Sequence, residues 1–569
     1  MQRLLIIINL LFLIGAASAY DWGDTLTIIQ KPILNIPCII NPGDTFTAWL
    51  KSAASIDDWE GALLLEDLSF SLSKLGQNYN SDYGYWEVDF QAGGSIPYEL
   101  YDFYVYSGSG SDTSRHAVSI IEEFSDNYNF IYIGDPHLPT HGFWTEPEPD
   151  TSKIPDLLAV FDDLAVINPA FLLIVGDLLD QGYMEEYQGR HYYARAQEVL
   201  QQCPVPFYLI AGNHDVGGCA TPNNPFEQGC ARRYWWKYFG WKWLENPPDG
   251  HYTQDFTFTY GNDLYIGMEA YENYDHWMQN IFGYYSFCPT ALNWLNQQLA
   301  NAGGYDNRIL YSHWDYLNQL NPSALGLDMI LLGHIHVNLG SLTQIPYWLV
   351  VESVCAHHKS VYGRAFQLID VNDGELNPKP TQYAGGRGQN LTVEYFPNNN
   401  GQNSRVTAVI ANNHDFDFPQ AQLKFNVSQY GREYEVDYGE IKQVIEHDDH
   451  KTVYVEFNLP AGATTTINVF ATSRNFNPSI TSENSLRLEI YPNPFNDNTS
   501  IHLHLPKSQN IKLSIYDTTG RLIQELVYGY FACGDYIIPF NGEGLSSGIY
   551  FAILKAEAKT RVEKLLYIK

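Results

Sequence analysis

Short apolar runs that end abruptly in polar residues dominate the middle of the chain. The clearest covers residues 171–175, where five consecutive apolar residues precede Gly176 and Asp177. Such a run predicts an inner parallel strand, because both faces of that kind of strand are covered and polar alternation is not needed. Asp177 would then lie at the carboxyl edge of the strand, where open α/β sheets place their ligands.

Four more apolar runs end in side chains that can bind metals. These side chains are Asp135 and His137, then Asn213, His214 and Asp215, then His313, and finally His334 and His336. Oxygen and nitrogen donors of this kind suit divalent metals of borderline hardness. Helical stretches at 154–167, 184–202 and 291–302 separate several of the runs, which predicts repeated β–α units. We therefore expect the polar groups to meet at one edge of an α/β core.

The five blocks read D-x-H, G-D-x-x-D, G-N-H-D, a lone His after a strand, and G-H-x-H. In this order they resemble the calcineurin-like metallophosphoesterases, over roughly residues 130–370. The resemblance implies an α/β fold with a metallophosphoesterase core of two facing β-sheets flanked by helices. The apolar pattern alone does not distinguish this architecture from a single doubly wound sheet.

The resemblance also implies a site for two metal ions, with Asp177 as the carboxylate that bridges them. The other ligands divide into Asp135, His137 and His336 for the first ion, and Asn213, His313 and His334 for the second. Neutral imidazoles and an amide limit the negative charge of the site and leave the ions electrophilic. These ligands suit manganese, iron and zinc alike, so the metal identity stays open.

The expected reaction is hydrolysis of a phosphate monoester or diester by a hydroxide that bridges the two ions. His214 is not a ligand in this scheme but assists the leaving group with a proton or a hydrogen bond. Asp180 and Asp215 are expected to orient His214 or a ligand imidazole. Purple acid phosphatases, a subgroup of the family, have a tyrosine ligand where this chain has Asp180, so we expect no tyrosinate-to-iron chromophore.

Length and charge set limits on these expectations. The chain has 569 residues, which is enough for several domains, because single cores stop growing near roughly 250–300 residues. Lys and Arg number 32 and Asp and Glu number 65, giving a net charge of −33. This charge argues against nucleic acid or an anionic membrane as a general partner.

Changes in composition predict five segments. Residues 1–19 combine Arg3, an apolar run and the small-residue ending Ala17-Ser-Ala19, which is typical of a signal peptide. Residues 20–120 and 385–472 show short strands with turn residues between them, which predicts N-terminal and C-terminal β-sandwich modules around a phosphoesterase domain at 125–372. No later run is long enough to be a transmembrane segment.

The last segment, residues 486–569, carries a second resemblance. It contains Tyr491-Pro-Asn-Pro-Phe-Asn, then Ile515-Tyr-Asp-Thr-Thr-Gly-Arg, and then Leu545-Ser-Ser-Gly-Ile-Tyr-Phe. These blocks are similar to the sorting domain of the type IX secretion system. The resemblance implies the type IX secretion machinery as a partner and a secreted or cell-surface location. A structural β-module without a sorting role is the alternative.

Residues 231–243 combine four cations with seven aromatic residues. In a strongly acidic chain such a segment can attract phosphate, which makes Arg232, Arg233 and Lys237 candidate substrate contacts. Alternatively, Trp235 and other rings recur at helical spacing and form core.

The seven cysteines all follow the predicted cleavage site, and their connectivity cannot be deduced. Cys219 and Cys230 bracket a loop rich in Pro and Asn and are the favoured pair.

Two functions remain open at this point. The first is a secreted metal-dependent phosphoesterase. The second is a surface-displayed binding protein that uses an inactive phosphoesterase scaffold, suggested by the β-modules and the 15% aromatic content. The intact ligand set counts against the second.

Overall fold

The computed structural model describes residues 25–138, 153–180, 186–216, 231–245, 247–270, 287, 289–316, 318–355, 363–385, 390–429, 433–472, 486–491, 493–496, 498–542, 544–556 and 559–568. The expected signal peptide and the Cys219–Cys230 pair lie outside the described residues. The chain forms two compact units. The first comprises Met1–Thr392, Ala411–Gln422 and Asn458–Ala463, and the second comprises Val393–Ile410, Leu423–Phe457 and Thr464–Lys569.

Residues 25–120 of the first unit contain nine strands in two sheets. They are β1 (Ile29–Lys31), β2 (Cys38–Ile40), β3 (Thr45–Lys51), β4 (Glu60–Leu65), β5 (Leu68–Ser71), β6 (Ser73–Asn80), β7 (Tyr85–Gln91), β8 (Leu100–Ser107) and β9 (Gly110–Ile120). The sheet orders are β1-β3-β7-β6 and β2-β9-β8-β4-β5. Phe46 on β3 packs against Phe103 on β8 with ring centroids 5.3 Å apart. The two sheets therefore share one core, as expected for a β-sandwich.

Eleven strands and six α-helices follow in the described residues. The strands are β10 (Asn127–Ile133), β11 (Leu172–Ile174), β12 (Phe207–Leu209), β13 (Phe256–Tyr260), β14 (Asp263–Met268), β15 (Arg308–Ser312), β16 (Met329–Leu332), β17 (Tyr347–Val350), β18 (Ala365–Asn372), β19 (Glu375–Pro378) and β20 (Gln382–Tyr383). The helices are α1 (Ile154–Ile167), α2 (Glu186–Leu200), α3 (Asn213–Val216), α4 (Ala231–Tyr238), α5 (Pro289–Ala300) and α6 (Pro322–Leu325), and a 3-10 helix covers Lys242–Glu245.

The strands of this region form two sheets. One has the order β12-β11-β10-β18-β19, with β20 also paired to β18, and the other has the order β13-β14-β15-β16-β17. Strands β10, β11 and β12 run parallel, and Leu173 of β11 lies between Tyr132 and Tyr208 of its neighbours. All three residues of β11 are buried. The expectation of an inner parallel strand before Asp177 is confirmed.

Aromatic rings fill the space between the two sheets. Tyr208 of the first sheet stacks on Phe258 of the second with centroids 3.5 Å apart. Phe171, just before β11, lies 4.9 Å from the ring of Tyr265 on β14. The two sheets therefore face each other, and the expected fold class is confirmed.

Helix α1 shows how local sequence sets the ends of an element. Pro155 in the first turn is compatible with a helix start, since its missing N–H is not needed there. Leu157, Phe161 and Leu164 recur at helical spacing and are buried. The helix ends where Asn168 adopts a left-handed conformation and its N–H donates to the carbonyl of Leu164.

The remaining chain is made of strands in the part that the structure describes. They are β21 (Leu391–Phe396), β22 (Arg405–Asn412), β23 (Phe418–Ser428), β24 (Glu433–Val436), β25 (Glu440–Glu446), β26 (His450–Leu459), β27 (Thr464–Thr472), β28 (Arg487–Tyr491), β29 (Asn498–Leu505), β30 (Gln509–Asp517), β31 (Leu522–Phe531), β32 (Gly534–Asn541), β33 (Gly548–Ala556) and β34 (Lys559–Tyr567). The sheet orders are β21-β22-β27-β24, β23-β26-β25, β28-β29-β32 and β31-β30-β33-β34. Among the described helices, none is both long and apolar enough to cross a membrane.

Candidate metal centre

Five strand ends bring the proposed ligands together. Asp135 and His137 follow β10, Asp177 follows β11, Asn213 opens α3 after β12, His313 follows β15, and His334 and His336 follow β16. All of these strands have parallel neighbours, so their carboxyl ends meet at one edge of the facing sheets. The first sheet supplies four of the seven ligands and the second supplies three. Both sheets are therefore needed to assemble the site.

The ligand turns carry unusual backbone conformations. Five of the seven proposed ligands have a positive φ, namely Asp135, His137, Asp177, His334 and His336, with values from 43° to 72°. This region is unfavourable for residues with a Cβ, and it persists only where the surrounding structure enforces it. The turns therefore hold these side chains in place at a conformational cost, which is a common property of functional sites.

Two glycines allow the ligand turns to approach each other. A Cβ on Gly212 would lie 2.2 Å from Oδ1 of Asp177, and a Cβ on Gly333 would lie 2.7 Å from Oδ2 of Asp135. Both glycines belong to the motifs seen in the sequence, G-N-H-D and G-H-x-H. Their role is to let a carboxylate lie directly against the backbone of the next turn.

The first group of ligands consists of Asp135, His137 and His336. Nε2 of His137 lies 3.0 Å from Nε2 of His336, and Nε2 of His336 lies 3.4 Å from Oδ1 of Asp135. Asp135 and His137 are at most 1% exposed. Their ligand atoms all lie within 4.8 Å of one another.

The second group contains Asp177, His313 and His334, with Asn213 beside them. Nε2 of His313 lies 3.1 Å from Oδ2 of Asp177 and 3.2 Å from Oδ1 of Asn213. The amide Nδ2 of Asn213 is buried without a hydrogen-bond partner in the described residues, so the amide is placed to offer its oxygen to the site. The hydroxyl of Tyr316 lies 3.0 Å from Nε2 of His334.

Asp177 lies between the two groups. Its Oδ2 is 3.8 Å from Nε2 of His137 and 3.1 Å from Nε2 of His313. Its Oδ1 accepts a hydrogen bond from the backbone N–H of His214 at 2.8 Å. One carboxylate oxygen is therefore fixed by the backbone while the other faces ligands of both groups.

The spacing of these donors fits metal ions. Two ligand atoms that each lie about 2.1 Å from one ion are roughly 3.0–3.4 Å apart for bond angles between 90° and 110°. The closest donor pairs in the two groups are separated by 3.0, 3.1, 3.2 and 3.4 Å. The residues present therefore fit two cations, as the sequence implies.

Hydrogen bonds behind the ligands set their orientation. Nδ1 of His313 donates to the carbonyl of Val175 at 2.6 Å, which leaves Nε2 to face Asp177. Oδ1 of Asp180 lies 3.7 Å from Nδ1 of His137, and Oδ2 of Asp180 lies 3.6 Å from Nζ of Lys153. Asp180 thus lies near the imidazole of His137, and its orienting role stays a prediction.

Asp215 contacts the backbone of the ligand turns. Its carboxylate accepts hydrogen bonds from the N–H groups of Leu178, Leu179 and Gly212 at 3.1, 2.9 and 2.8 Å. These contacts tie the turn after β11 to the turn after β12. The sequence suggested that Asp215 orients an imidazole, but these contacts show it fixing the turns that carry Asp177 and Asn213.

The electrostatics of the site favour a cation. Burial by itself would raise the pKa of Asp177, but His313 and His214 outweigh it and hold that pKa well below its usual range. Burial lowers the pKa of His313, yet Asp177 reverses the effect and raises it to about 9. Burial and the neighbouring His313 lower the pKa of His334 to about 4. The carboxylate thus draws positive charge to this point, and a bound cation would replace a proton there.

Several contributors left no recognisable signal in the sequence. Ser353 donates its hydroxyl hydrogen to the carbonyl of Asp135 at 2.8 Å and so supports the turn after β10. Lys153, Tyr316 and the carbonyl of Val175 also act on the site. Each is linked to its partner by tertiary structure and belongs to none of the five blocks, so periodicity and motif spacing do not reveal it.

The aromatic stretch 231–243 is mostly core. Trp235, Trp236 and Phe239 are at most 2% exposed, and the ring of Tyr193 on α2 packs against Trp235 and Tyr238 of α4. Nζ of Lys237 lies 4.5 Å from the centroid of the Tyr234 ring. The side chains of Arg232 and Arg233 lie outside the described part of the chain. The structural alternative is therefore the one observed for Trp235 and Phe239, whereas Trp243 is only half-buried.

Two separate segments of the chain match models of known families. Residues 128–338 match the model for the calcineurin-like phosphoesterases. The chain contains a calcineurin-like phosphoesterase domain. This domain makes the protein a metal-dependent phosphoesterase, with a phosphate ester as its class of substrate. Residues 489–569 match the model for a secretion system C-terminal sorting domain, so the phosphoesterase is exported to the cell surface or secreted.

Solved structures with low sequence identity are also similar to the phosphoesterase. The structure of PhoD is 12% identical, with 65% of this chain and 95% of that chain covered and a TM-score of 0.36. A dimetal phosphatase from Danio rerio is 12% identical, with coverages of 45% and 98% and a TM-score of 0.32. A purple acid phosphatase from yellow lupin seeds is 9% identical, with coverages of 65% and 70% and a TM-score of 0.35. Among curated proteins, none matches the chain in sequence.

Proposed function

We propose that this protein is a secreted dinuclear phosphoesterase that hydrolyses phosphate monoesters or diesters. The position of Asp177 between two groups of donors is the observation that carries this proposal. Asp135, His137 and His336 would hold one ion, Asn213, His313 and His334 would hold the other, and Asp177 would bridge them. The bound ions would supply a hydroxide nucleophile near neutral pH and offset the charge of the phosphoryl oxygens.

His214 is the proposed aid to the leaving group. Its Nδ1 contacts the backbone carbonyl of Asp180, and because a carbonyl oxygen only accepts, this nitrogen carries the hydrogen. Its backbone N–H is held by Asp177, and its ring packs edge-on against His137 at 4.8 Å. The ring is therefore fixed beside the metal ligands, with Nε2 as the nitrogen that would donate to a developing negative charge.

His137, Asp177 and His214 also lie close enough together to share an ion. The backbone contact of His214 Nδ1 favours the leaving-group role, because that contact directs one nitrogen away from a metal. Metal content distinguishes the two roles, since loss of a ligand lowers occupancy whereas loss of a proton donor does not.

Hydrolysis of p-nitrophenyl phosphate and bis(p-nitrophenyl) phosphate by the full chain tests the proposal. We expect activity on at least one ester with manganese, iron or zinc added, and its loss on chelation. If both esters are hydrolysed, comparison of their kcat/KM values shows whether monoesters or diesters are preferred. Absence of hydrolysis with all three metals bound would contradict the proposal and favour a binding protein with an inactive scaffold.

A further inference from the structure

A second cleft of the first unit is lined by aromatic rings. Trp49 and Tyr83 come from the N-terminal sandwich, and Trp243 and Trp294 come from the phosphoesterase domain. The cleft has a volume of about 380 Å³. This lies in the range of roughly 300–1,000 Å³ that is usual for small-molecule sites. None of its lining residues is one of the seven proposed metal ligands.

The rings of Trp49, Tyr83, Trp243 and Trp294 are half-buried, and they pack against other rings of the cleft. Trp243 stacks on Tyr85 with centroids 5.0 Å apart and on Trp241 at 5.3 Å. Trp49 lies 5.5 Å from both Trp241 and Trp243, while Trp243 meets the ring of Tyr83 at 5.7 Å. Rings fixed in this way lose little conformational entropy when a ligand binds.

Polar groups lie beside the rings. The hydroxyl of Tyr83 donates to Oδ2 of Asp249 at 3.1 Å. Asp255 is buried and accepts from Oγ1 of Thr253 at 2.7 Å, with Nε2 of His251 at 2.5 Å. Since the carboxylate fixes both neighbours, the cleft has a preorganised polar edge. His251 in turn packs edge-on against Trp294, with centroids 6.1 Å apart.

We propose that this aromatic cleft binds a neutral carbohydrate. A sugar ring presents C–H groups on its faces, which pack on aromatic rings, and hydroxyl groups at its edge, which both donate and accept. The cleft offers Trp49, Trp243 and Trp294 for the faces. Asp249 and Lys31 offer an acceptor and a donor for the hydroxyl groups.

Two other ligands that stack on aromatic rings fit less well. A quaternary ammonium ion binds best in an aromatic cage that holds no other cation. In this cleft Nζ of Lys31 already lies 4.9 Å from the centroid of the Trp49 ring, and its charge repels a second cation. A nucleotide would bring phosphate next to Asp249 and Asp255 in a chain of net charge −33. A neutral glycan meets neither repulsion.

Binding of defined oligosaccharides to the full chain tests the proposal. The probes are the hexasaccharides of β-1,4-glucose, β-1,4-mannose and β-1,4-N-acetylglucosamine, with choline and AMP for comparison. Tryptophan fluorescence and calorimetry should report at least one hexasaccharide with a dissociation constant in the millimolar range or below. This readout does not depend on phosphate hydrolysis, so it is independent of the proposed function.

Substitutions of the cleft tryptophans test whether the oligosaccharide binds in the cleft. Trp294→Ala and Trp243→Ala should each weaken binding roughly tenfold or more, whereas Trp243→Phe keeps a ring and should weaken it less. Trp348→Ala removes an exposed tryptophan outside the cleft and serves as the matched control. Unfolding temperatures of all variants show whether each is folded. Binding of choline alone or AMP alone, binding of no hexasaccharide, or binding unchanged in both alanine variants would overturn the proposal.

Discussion

At the metal centre the phosphoesterase buries carboxylates and imidazoles, whereas in the aromatic stretch 231–243 it buries indole rings next to cations. Asp135 and Asp177 are at most 1% exposed, and so are Trp235 and Phe239. Equal burial has opposite consequences for the two regions. A buried carboxylate is costly unless it is paired, while a buried ring contributes directly to the free energy of folding.

The difference explains which region carries chemistry. The ligand turns combine buried charge with positive φ at five ligand positions, and both features lower stability unless the surroundings compensate. Helix α4 shows neither cost in its described side chains, since its rings pack on Tyr193 and its Lys237 packs on Tyr234. Unfavourable features that the fold nevertheless maintains are thus a better indicator of a site than a conspicuous composition.

The largest expected effect comes from Asp177→Asn. An amide cannot bridge two cations as a carboxylate does, so both ions should be lost together and activity should fall by about a thousandfold or more. Elemental analysis beside kinetics checks this. Asp373→Asn is the matched control, because Asp373 has a φ of 50° against 53° for Asp177 but lies at an exposed turn. Retention of either ion at full occupancy would contradict the bridging role.

Trp235→Ala should destabilise the protein, because it removes a buried ring from the aromatic stretch 231–243. Its indole is fully buried and packs against Phe239 at 4.9 Å, so the variant should lose about 3–5 kcal/mol of unfolding free energy. Denaturant unfolding measures this loss. Trp348→Ala, at an exposed position, should cost far less. If the Trp235→Ala protein were stable but had a raised KM, the stretch 231–243 would bind substrate rather than form core.

The sequence predicted that the candidate ligands meet at one sheet edge, because strand order determines their positions. Each apolar run ends at a ligand, and parallel strands place those ends at one edge, so His313 and Asp177 meet although 136 positions separate them. The bounds of α1, Ile154–Ile167, also agree with the helical stretch predicted from the sequence.

The sequence could not reveal contacts that depend on packing between distant elements. The hydrogen bonds of Asp215 to the backbone of Leu178 and Leu179 are one case. The contact between Trp49 and Trp243 is another, because Trp49 lies on β3 and Trp243 in the 3-10 helix, and the two share no local pattern. Helical periodicity marked Trp235 as a core candidate, but charge pointed equally to a substrate role, and only packing separates the two.

His214→Gln should have an intermediate effect that separates catalysis from metal binding. Glutamine can still donate to the carbonyl of Asp180 but cannot supply an acidic proton to the leaving oxygen. We expect both ions to stay bound while kcat falls by about a hundredfold, most for esters with poor leaving groups. A series of aryl phosphates of increasing phenol pKa measures this. Uniform, full activity across the series would remove His214 from the reaction.

Lys237→Met should give the smallest effect and is the sharpest test of how the aromatic stretch is read. Methionine keeps most of the aliphatic volume of lysine but removes the charge that lies 4.5 Å from the Tyr234 ring. Loss of this cation–π contact should lower the free energy of unfolding by about 0.5–1 kcal/mol. We expect the change to appear in stability rather than in KM, because the ring that Lys237 covers is itself buried. Arg232→Ala with Arg233→Ala provides the comparison, since those two cations remain candidate substrate contacts. A severalfold rise in KM for Lys237→Met, larger at low salt and without loss of stability, would show that Lys237 attracts phosphate instead.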